Sequence, residues 1–213
     1  MSSLTKRIAC GVEYFGFNYS GWQSQQQSSS VQDHIETAIS TVANEPIRIF
    51  ASGRTDAGVH AKCQVFHFDT KSNRTPSEWL YGVNSNLPDD INIIWVKDVV
   101  QEFDARYSAV SRIYQYLIVN QKINDVFLIN RALWIPYNLD INLMQQAARH
   151  FQGEHDFTSF RSSSCQSKSP IRTISTLNIE QSKQRILIQC TANAFLQHMV
   201  RNIVGTLIDV GEG

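Results

Sequence analysis

The sequence predicts an α+β protein of two ferredoxin-like halves, each a split β-α-β unit whose antiparallel sheet is backed by helices. Three observations predict it. Residues 8–99 read as β-α-β-β-α-β, the same order starts again at Arg112, and residues 103–111 join the two series. The boundary is expected at 105/106, giving halves 1–105 and 106–213. The second half shows no counterpart of the strand that closes the first, so the chain reads as cut short at Gly213.

Ile8, Cys10, Val12 and Tyr14 alternate with Ala9, Gly11 and Glu13, the period of a strand with two unlike faces. Val31, Ile35, Ala38, Ile39 and Val42 then share one helical face, with Ser29 and Gln32 spaced for a capping box. Residues 46–52 and 63–69 form a pair of strands around the turn-rich GRTDAG. Pro76 opens a second helix that turns Trp79, Leu80, Val83 and Leu87 inward, and a β-rich run over 91–99 follows the Pro88-Asp89-Asp90 turn. In the second half, a strand over 112–120 precedes a helix over 140–151 with Ile141, Met144 and Ala148 inward and Gly153 as its stop. Strands over 171–180 and 185–192 follow. A last helix carries Phe195, Met199, Ile203, Leu207 and Ile208 on its inner side.

With 213 residues, 42% of them hydrophobic, the chain can bury a substantial core. No apolar run approaches the ~20 residues that span a bilayer, and MSSLTKRIAC lacks a signal peptide's apolar stretch, so a cytoplasmic protein is expected. Cys10, Cys63, Cys165 and Cys190 are far apart, which suggests buried or partly buried free thiols. The six histidines have no H-x-x-x-H or H-E-x-x-H spacing, so no metal is expected. Lys plus Arg equals Asp plus Glu at 19 each, so any nucleic-acid site must be a local patch. Residues 161–172, RSSSCQSKSPIR, hold three basic residues and no acidic one, which fits either such a patch or a solvated loop.

Three segments could carry chemistry. SGRTDAGVHA at residues 52–61 puts Arg54, Thr55, Asp56 and His60 in one loop between strands; Asp56 either closes an Asx-turn or is presented as a reactive carboxylate. Val59 stands where a P-loop needs lysine, which excludes phosphate cradling of that kind. In RIYQY at residues 112–116, Arg112, Tyr114 and Tyr116 share a strand face, where a tyrosine can stack on a splayed base or simply pack in the core. In ANAFLQHMVRNIVG at residues 192–205, Arg201 interrupts an apolar helix; it either needs a carboxylate partner or snorkels to solvent.

Together these segments resemble the TruA-type tRNA pseudouridine synthases. GRTDAGVHA at residues 53–61 is similar to the family's aspartate loop, and the likeness runs from YFGFNYSGWQ (14–23) through GVNSNLP (82–88), FDARYSA (103–109), RIYQY and GEHDFTSFR (153–161) to NAFLQHMVRNIVG (193–205). The resemblance implies that Asp56 is the nucleophile, that Arg201 is the charge partner keeping it ionised, and that Tyr114 stacks on the target uracil and can assist removal of the C5 proton. It implies that Arg54 contacts the tRNA beside the aspartate and helps hold the target nucleotide out of its stack. Arg74, Phe103, Arg106 and the loop Ser164, Cys165, Gln166, Ser167 and Lys168 would touch the tRNA. It also implies a homodimer acting on the anticodon arm at positions 38 to 40 without a cofactor. Two rivals differ in class: a non-catalytic RNA-binding module on tandem ferredoxin-like sheets, which leaves the arginine-flanked Asp56 unexplained, and a hydrolase needing a second carboxylate, for which the motifs offer only Asp104 and Asp156.

Overall fold

In the computed structural model, which describes residues 5–213, the alternating segment at the start of the chain is strand β1 (Lys6–Tyr14). Helix α1 (Val31–Ala43), strands β2 (Phe50–Ala51) and β3 (Ala61–Thr70), helix α2 (Pro76–Asn84) and strand β4 (Ile91–Val99) follow. The sheet order is β2-β3-β1-β4 with every pair antiparallel, the arrangement of a split β-α-β unit. Ile8, Cys10 and Val12 of β1 and Phe66 and Phe68 of β3 pack with Ile35, Ile39, Trp79 and Val83 of the helices in one buried cluster. Full burial of such side chains is worth about 1.5–3 kcal/mol each. The other sheet face is covered at Ala9 and His67, both buried, by the segment after β4, whose Ala105 is also buried. The contacts of the chain divide it between Ala109 and Val110, so that segment belongs to the first unit.

The second unit contains β5 (Arg112–Asn120), β6 (Leu133–Ile135), α3 (Ile141–Ala148), β7 (Gly153–Asp156), β8 (Ile171–Ser182), β9 (Arg185–Ala192) and α4 (Met199–Glu212). Its sheet order is β6-β5-β9-β8-β7. Ile118, Ile174, Ile186 and Ile188 of the sheet meet Met144 of α3 and Met199, Ile203, Val204 and Leu207 of α4 in a second core.

Several local expectations change. Residues 46–49 are not strand: Ile47 and Ile49 are buried, but their N–H groups donate to Ser40 Oγ (2.9 Å) and Glu36 Oε1 (3.0 Å) of α1, which leaves only Phe50 and Ala51 to pair with β3. The cap of α1 is Ser30, whose Oγ accepts from Asp33 N; Ser29 bonds His34 instead, and the Gln32 side chain accepts from Ser24 N. Phe195 precedes the last helix, because His198 at φ 63 breaks helical geometry before Met199. Cys63 is exposed near the start of β3, whereas the other three cysteines are buried or half-buried as expected. Neither β6 nor β7 follows from periodicity, since each is too short to show a period. β6 runs parallel to β5, so the second sheet is mixed, and it pairs with Ile118–Asn120 alone. Along 112–117, β5 has no strand partner among the described residues on the side away from β9.

Candidate active site

The aspartate loop fills the gap between β2 and β3. Its neck is closed locally: Ser52 N donates to Val65 O (2.8 Å), and Gln64 links Ser52 Oγ (2.9 Å) to Gly53 O (2.6 Å). At its tip, Val59 N donates to Asp56 O (3.2 Å), and Gly58 takes φ 78.

The rest of its support comes from residues 14–22, which follow β1. The Tyr14 hydroxyl meets Thr55 Oγ1, and Trp22 N donates to Thr55 O (3.0 Å). Gly16 N donates to His60 Nδ1 (2.9 Å), and the Phe15 ring lies flat on the His60 ring at 4.3 Å and 11°. Gly16 and Gly21 have to be glycine. A Cβ on Gly16 would stand 1.9 Å from Val59 O, and one on Gly21, already at φ +97, would stand 2.6 Å from Thr55 O and 3.2 Å from the Asp56 carbonyl carbon. Asp90 holds this segment from behind. Its backbone carbonyl accepts from Phe15 N (2.9 Å), and its carboxylate accepts from Asn18 Nδ2 (3.0 Å) and the Tyr19 hydroxyl. Burial and that carboxylate push the Tyr19 hydroxyl's pKa up, so it stays a donor. The backbone on both sides of Asp56 is therefore fixed while its side chain is half-buried and Arg54 is exposed.

In the second unit residues 193–198 connect β9 to α4. Tyr114, paired with Cys190 across β5 and β9, is half-buried and meets the Phe195 ring edge to face at 4.8 Å and 78°. Tyr116 is the tyrosine that joins the core. Arg112 Nη1 donates to Asn193 O (2.7 Å), while Asn193 Oδ1 accepts from Thr173 N (3.1 Å) and Ala194 N (2.8 Å). Gln197 reaches the basic loop: its carbonyl accepts from Ser162 N (2.9 Å) and its Oε1 from Ser164 Oγ (3.3 Å). Tyr114 and the Ser164–Lys168 loop are thus tied to one connector. Within that loop Ser164, Gln166 and Lys168 are exposed, and Cys165 and Ser167 are half-buried. Arg172 turns inward and staples the loop, donating to Ser169 O (3.0 Å), Ile171 O (2.6 Å) and Ser167 Oγ (2.7 Å). Arg201 stands on the exposed side of α4, opposite Met199, Ile203 and Leu207, so burial in the helix places no demand for an internal counter-ion.

The remaining RNA candidates lie elsewhere on the first unit. Arg74 is exposed beyond the far end of β3, a strand of ten residues, so about 30 Å of sheet separates it from the aspartate loop. Its Nε donates to Val42 O (2.9 Å), satisfying a carbonyl at the end of α1. Phe103 is half-buried against His67, edge to face at 6.0 Å, and Arg106 is exposed beside Tyr107.

The structure also brings in residues that were not read from the sequence as site residues: Tyr14, Gly16, Gly21 and Asp90 around the aspartate loop, Phe195 against Tyr114, and Gln197 at the basic loop. A signal existed for the first group, because two glycines in an aromatic run directly after a strand leave room for another backbone.

A family model described as tRNA pseudouridine synthase matches residues 11–108 and 147–213, which include Arg54, Asp56, Arg74, Phe103, Arg106, the basic loop and Arg201 but not Tyr114. The chain is 52% identical over 207 residues to tRNA pseudouridine synthase A of Shewanella sediminis, covering 97% of this chain and 79% of the relative. It is 48% identical over 207 residues to the proteins of that name from Buchnera aphidicola and Pasteurella multocida, covering 97% of this chain and 79% and 78% of those relatives. A match of this extent, on a fold whose backbone is shaped around the GRTDAG loop, means that the chain belongs to the tRNA pseudouridine synthase family.

Proposed function

We propose that this chain isomerises uridine to pseudouridine in the anticodon arm of tRNA, at positions 38 to 40, with Asp56 as the nucleophile. The family supports an isomerase acting on tRNA. The observation that carries the residue assignment is the aspartate loop, gripped by backbone contacts before and after Asp56, with the carboxylate half-buried on a fixed support. Such preorganisation suits a nucleophile that must meet one atom of a flipped base.

The isomerisation breaks the N1–C1′ bond and forms a C5–C1′ bond; C5 gives up its proton and N1 gains one, so nothing is added and no cofactor is consumed. Asp56 makes the covalent attack and Tyr114 stacks on the uracil while it turns; Arg201, exposed on α4, supplies positive charge to the reaction. Arg54 steadies the displaced nucleotide. The exposed Arg74, Arg106 and Lys168, with Phe103 and the other residues of the Ser164–Lys168 loop, contact the tRNA, whose elongated shape suits contacts spread along the protein. We place the enzyme in the cytoplasm as a homodimer, in which two modest basic patches serve a protein with no net charge. No helix among the described residues is long and apolar enough to cross a membrane.

The test is release of tritium from tRNA carrying 5-labelled uridine. Asp56→Asn should abolish release while tRNA affinity stays within about threefold of the parent, since amide and carboxylate differ little in size. Turnover by the variant would remove Asp56 from the chemistry.

A further inference from the structure

The segment between β4 and the end of the first unit is fastened to the sheet by two side chains that the reaction does not use. Arg7 of β1 is held by a two-point pair with Asp69, at 2.8 Å each, and its Nη1 donates to the carbonyls of Gln101 (2.5 Å) and Phe103 (2.8 Å). His67 of β3, 3% exposed, accepts the Ala105 N–H on its Nδ1 at 3.1 Å. Its ring is sandwiched by aromatics, stacked on Phe50 at 5.3 Å and edge-on to Phe103 at 6.0 Å. Beyond Ala105, Asp104 Oδ1 accepts from Arg106 N (2.8 Å) and Tyr107 N (2.9 Å), which turns the chain and puts Arg106 outside.

We propose that His67 and Arg7 are positioning residues for tRNA binding: by fixing the backbone from Gln101 to Ala105 they set where Phe103 and Arg106 meet the RNA. This rests on the reading that Phe103 and Arg106 contact tRNA. The two fastenings differ in chemistry. Arg7 is charged at every relevant pH, and its pair with Asp69 holds that carboxyl below its ordinary range. His67 can accept from Ala105 only while Nδ1 carries no proton, so its protonation replaces the hydrogen bond with two facing N–H groups.

The groups facing His67 are Arg7 from β1, Asp69 on β3 itself and Asp104 from the fastened segment, while β2 presents Phe50. Burial first and then the Arg7 charge favour the neutral ring, against the two carboxylates. The pKa of His67 in the folded protein therefore lies below the ordinary imidazole value of about 6.5, and the sign follows: the latch is intact above about 6.5 and opens as pH falls through the depressed value. Asp69 and Asp104 are themselves held low, by the Arg7 hydrogen bonds and by the backbone N–H groups of Tyr107 and Arg106 respectively, so they stay ionised while His67 titrates.

The experiment measures tRNA affinity and single-turnover rate for the whole chain from about pH 5 to about 8 at fixed salt, in the parent, His67→Asn and His67→Phe. The amide oxygen of Asn can stand near the Nδ1 position and has no proton to gain there. The parent should lose about tenfold in affinity toward low pH, the scale of one lost base contact, with the rate at saturating tRNA within about twofold. His67→Asn should lose none of that affinity to acid. His67→Phe should bind about tenfold more weakly at every pH. The proposal is overturned if His67→Asn keeps the parent's acid dependence, or if His67→Phe binds as the parent does at neutral pH. Should His67→Phe not fold, the comparison of parent with His67→Asn still decides. The double variant Phe103→Ala, Arg106→Ala separates the two layers. If it binds tRNA normally, the reading of that segment as an RNA contact fails; if it binds weakly while the His67 variants behave as the parent, only the latch fails.

Discussion

The Tyr14 hydroxyl lies 2.8 Å from Thr55 Oγ1, so the residue immediately before Asp56 is held by a side chain from the end of β1. Tyr14 is 4% exposed, and its ring packs in the first core. Tyr14→Phe keeps that packing and removes the bond. It should lower the tritium-release rate about fivefold, with KM for tRNA changed by less than about twofold, because a loop bond worth about 1 kcal/mol is lost without touching the RNA surface. Thr55→Val should do the same, and the pair of changes no more than either alone; additive losses would show that the two hydroxyls do not work through each other.

Gly21→Ala tests the grip from the other side. The new methyl would press on the Thr55 carbonyl at 2.6 Å from a backbone already at φ +97, so the loop must shift. Activity should fall by about tenfold or more while tRNA still binds, since a displacement of about 1 Å at the reacting group is costly. Gly16→Ala, aimed at the Val59 carbonyl at 1.9 Å, should also lower the melting temperature. Gly53→Ala meets nothing within 4 Å and should leave the melting temperature unchanged.

Tyr114 separates ring from hydroxyl. Stacking is worth roughly 1–3 kcal/mol, so Tyr114→Ala should raise KM for tRNA or lower kcat by about tenfold to a hundredfold. Tyr114→Phe, still in edge-to-face contact with Phe195 at 4.8 Å, should keep most activity if stacking is the whole role. Loss of turnover in Tyr114→Phe with binding intact would assign proton transfer to the hydroxyl.

A cap on α2 supplies the control for all of these. Thr75 Oγ1 accepts from Glu78 N, and the Glu78 carboxylate accepts from Thr75 N at 2.7 Å, the reciprocal pair of a capping box. Thr75→Ala should cost about 1 kcal/mol of stability with specific activity unchanged. A fall in activity matching that of Tyr14→Phe would mean that the loop variants merely report unfolding.

What was legible in the sequence was local or periodic. The period-two and period-3.6 patterns gave β1, β5 and the inner faces of α1, α3 and α4, β-rich composition after a turn gave β4, and the GRTDAG turn stood out because its glycines and charges break both periods. What was not legible depends on contacts distant in sequence. Ile47 and Ile49 look like strand residues until α1 supplies Ser40 and Glu36 to take their amides. Phe195 continues the helical pattern of α4 but lies in the connector before it, ahead of the turn at Gln197 and left-handed His198. Arg172 counts as one more positive charge in a basic loop until its three bonds back to that loop are seen. Nothing at positions 7 and 67 announces a fastening for residues 101–105.

The grip on the aspartate loop also fixes when in folding the site can exist. Tyr14 and Thr55 are 41 residues apart in the chain, and residues 14–22 reach the loop only once β1 has paired with β3. α1 and α2 are built from neighbouring residues and can nucleate early, whereas loop closure over such a span comes at a greater entropic cost and follows later. In a refolding experiment, helical circular dichroism should therefore recover ahead of catalytic competence, and a fragment ending before β3 would contain every residue through which 14–22 grips the loop but not the strand pairing that brings them together.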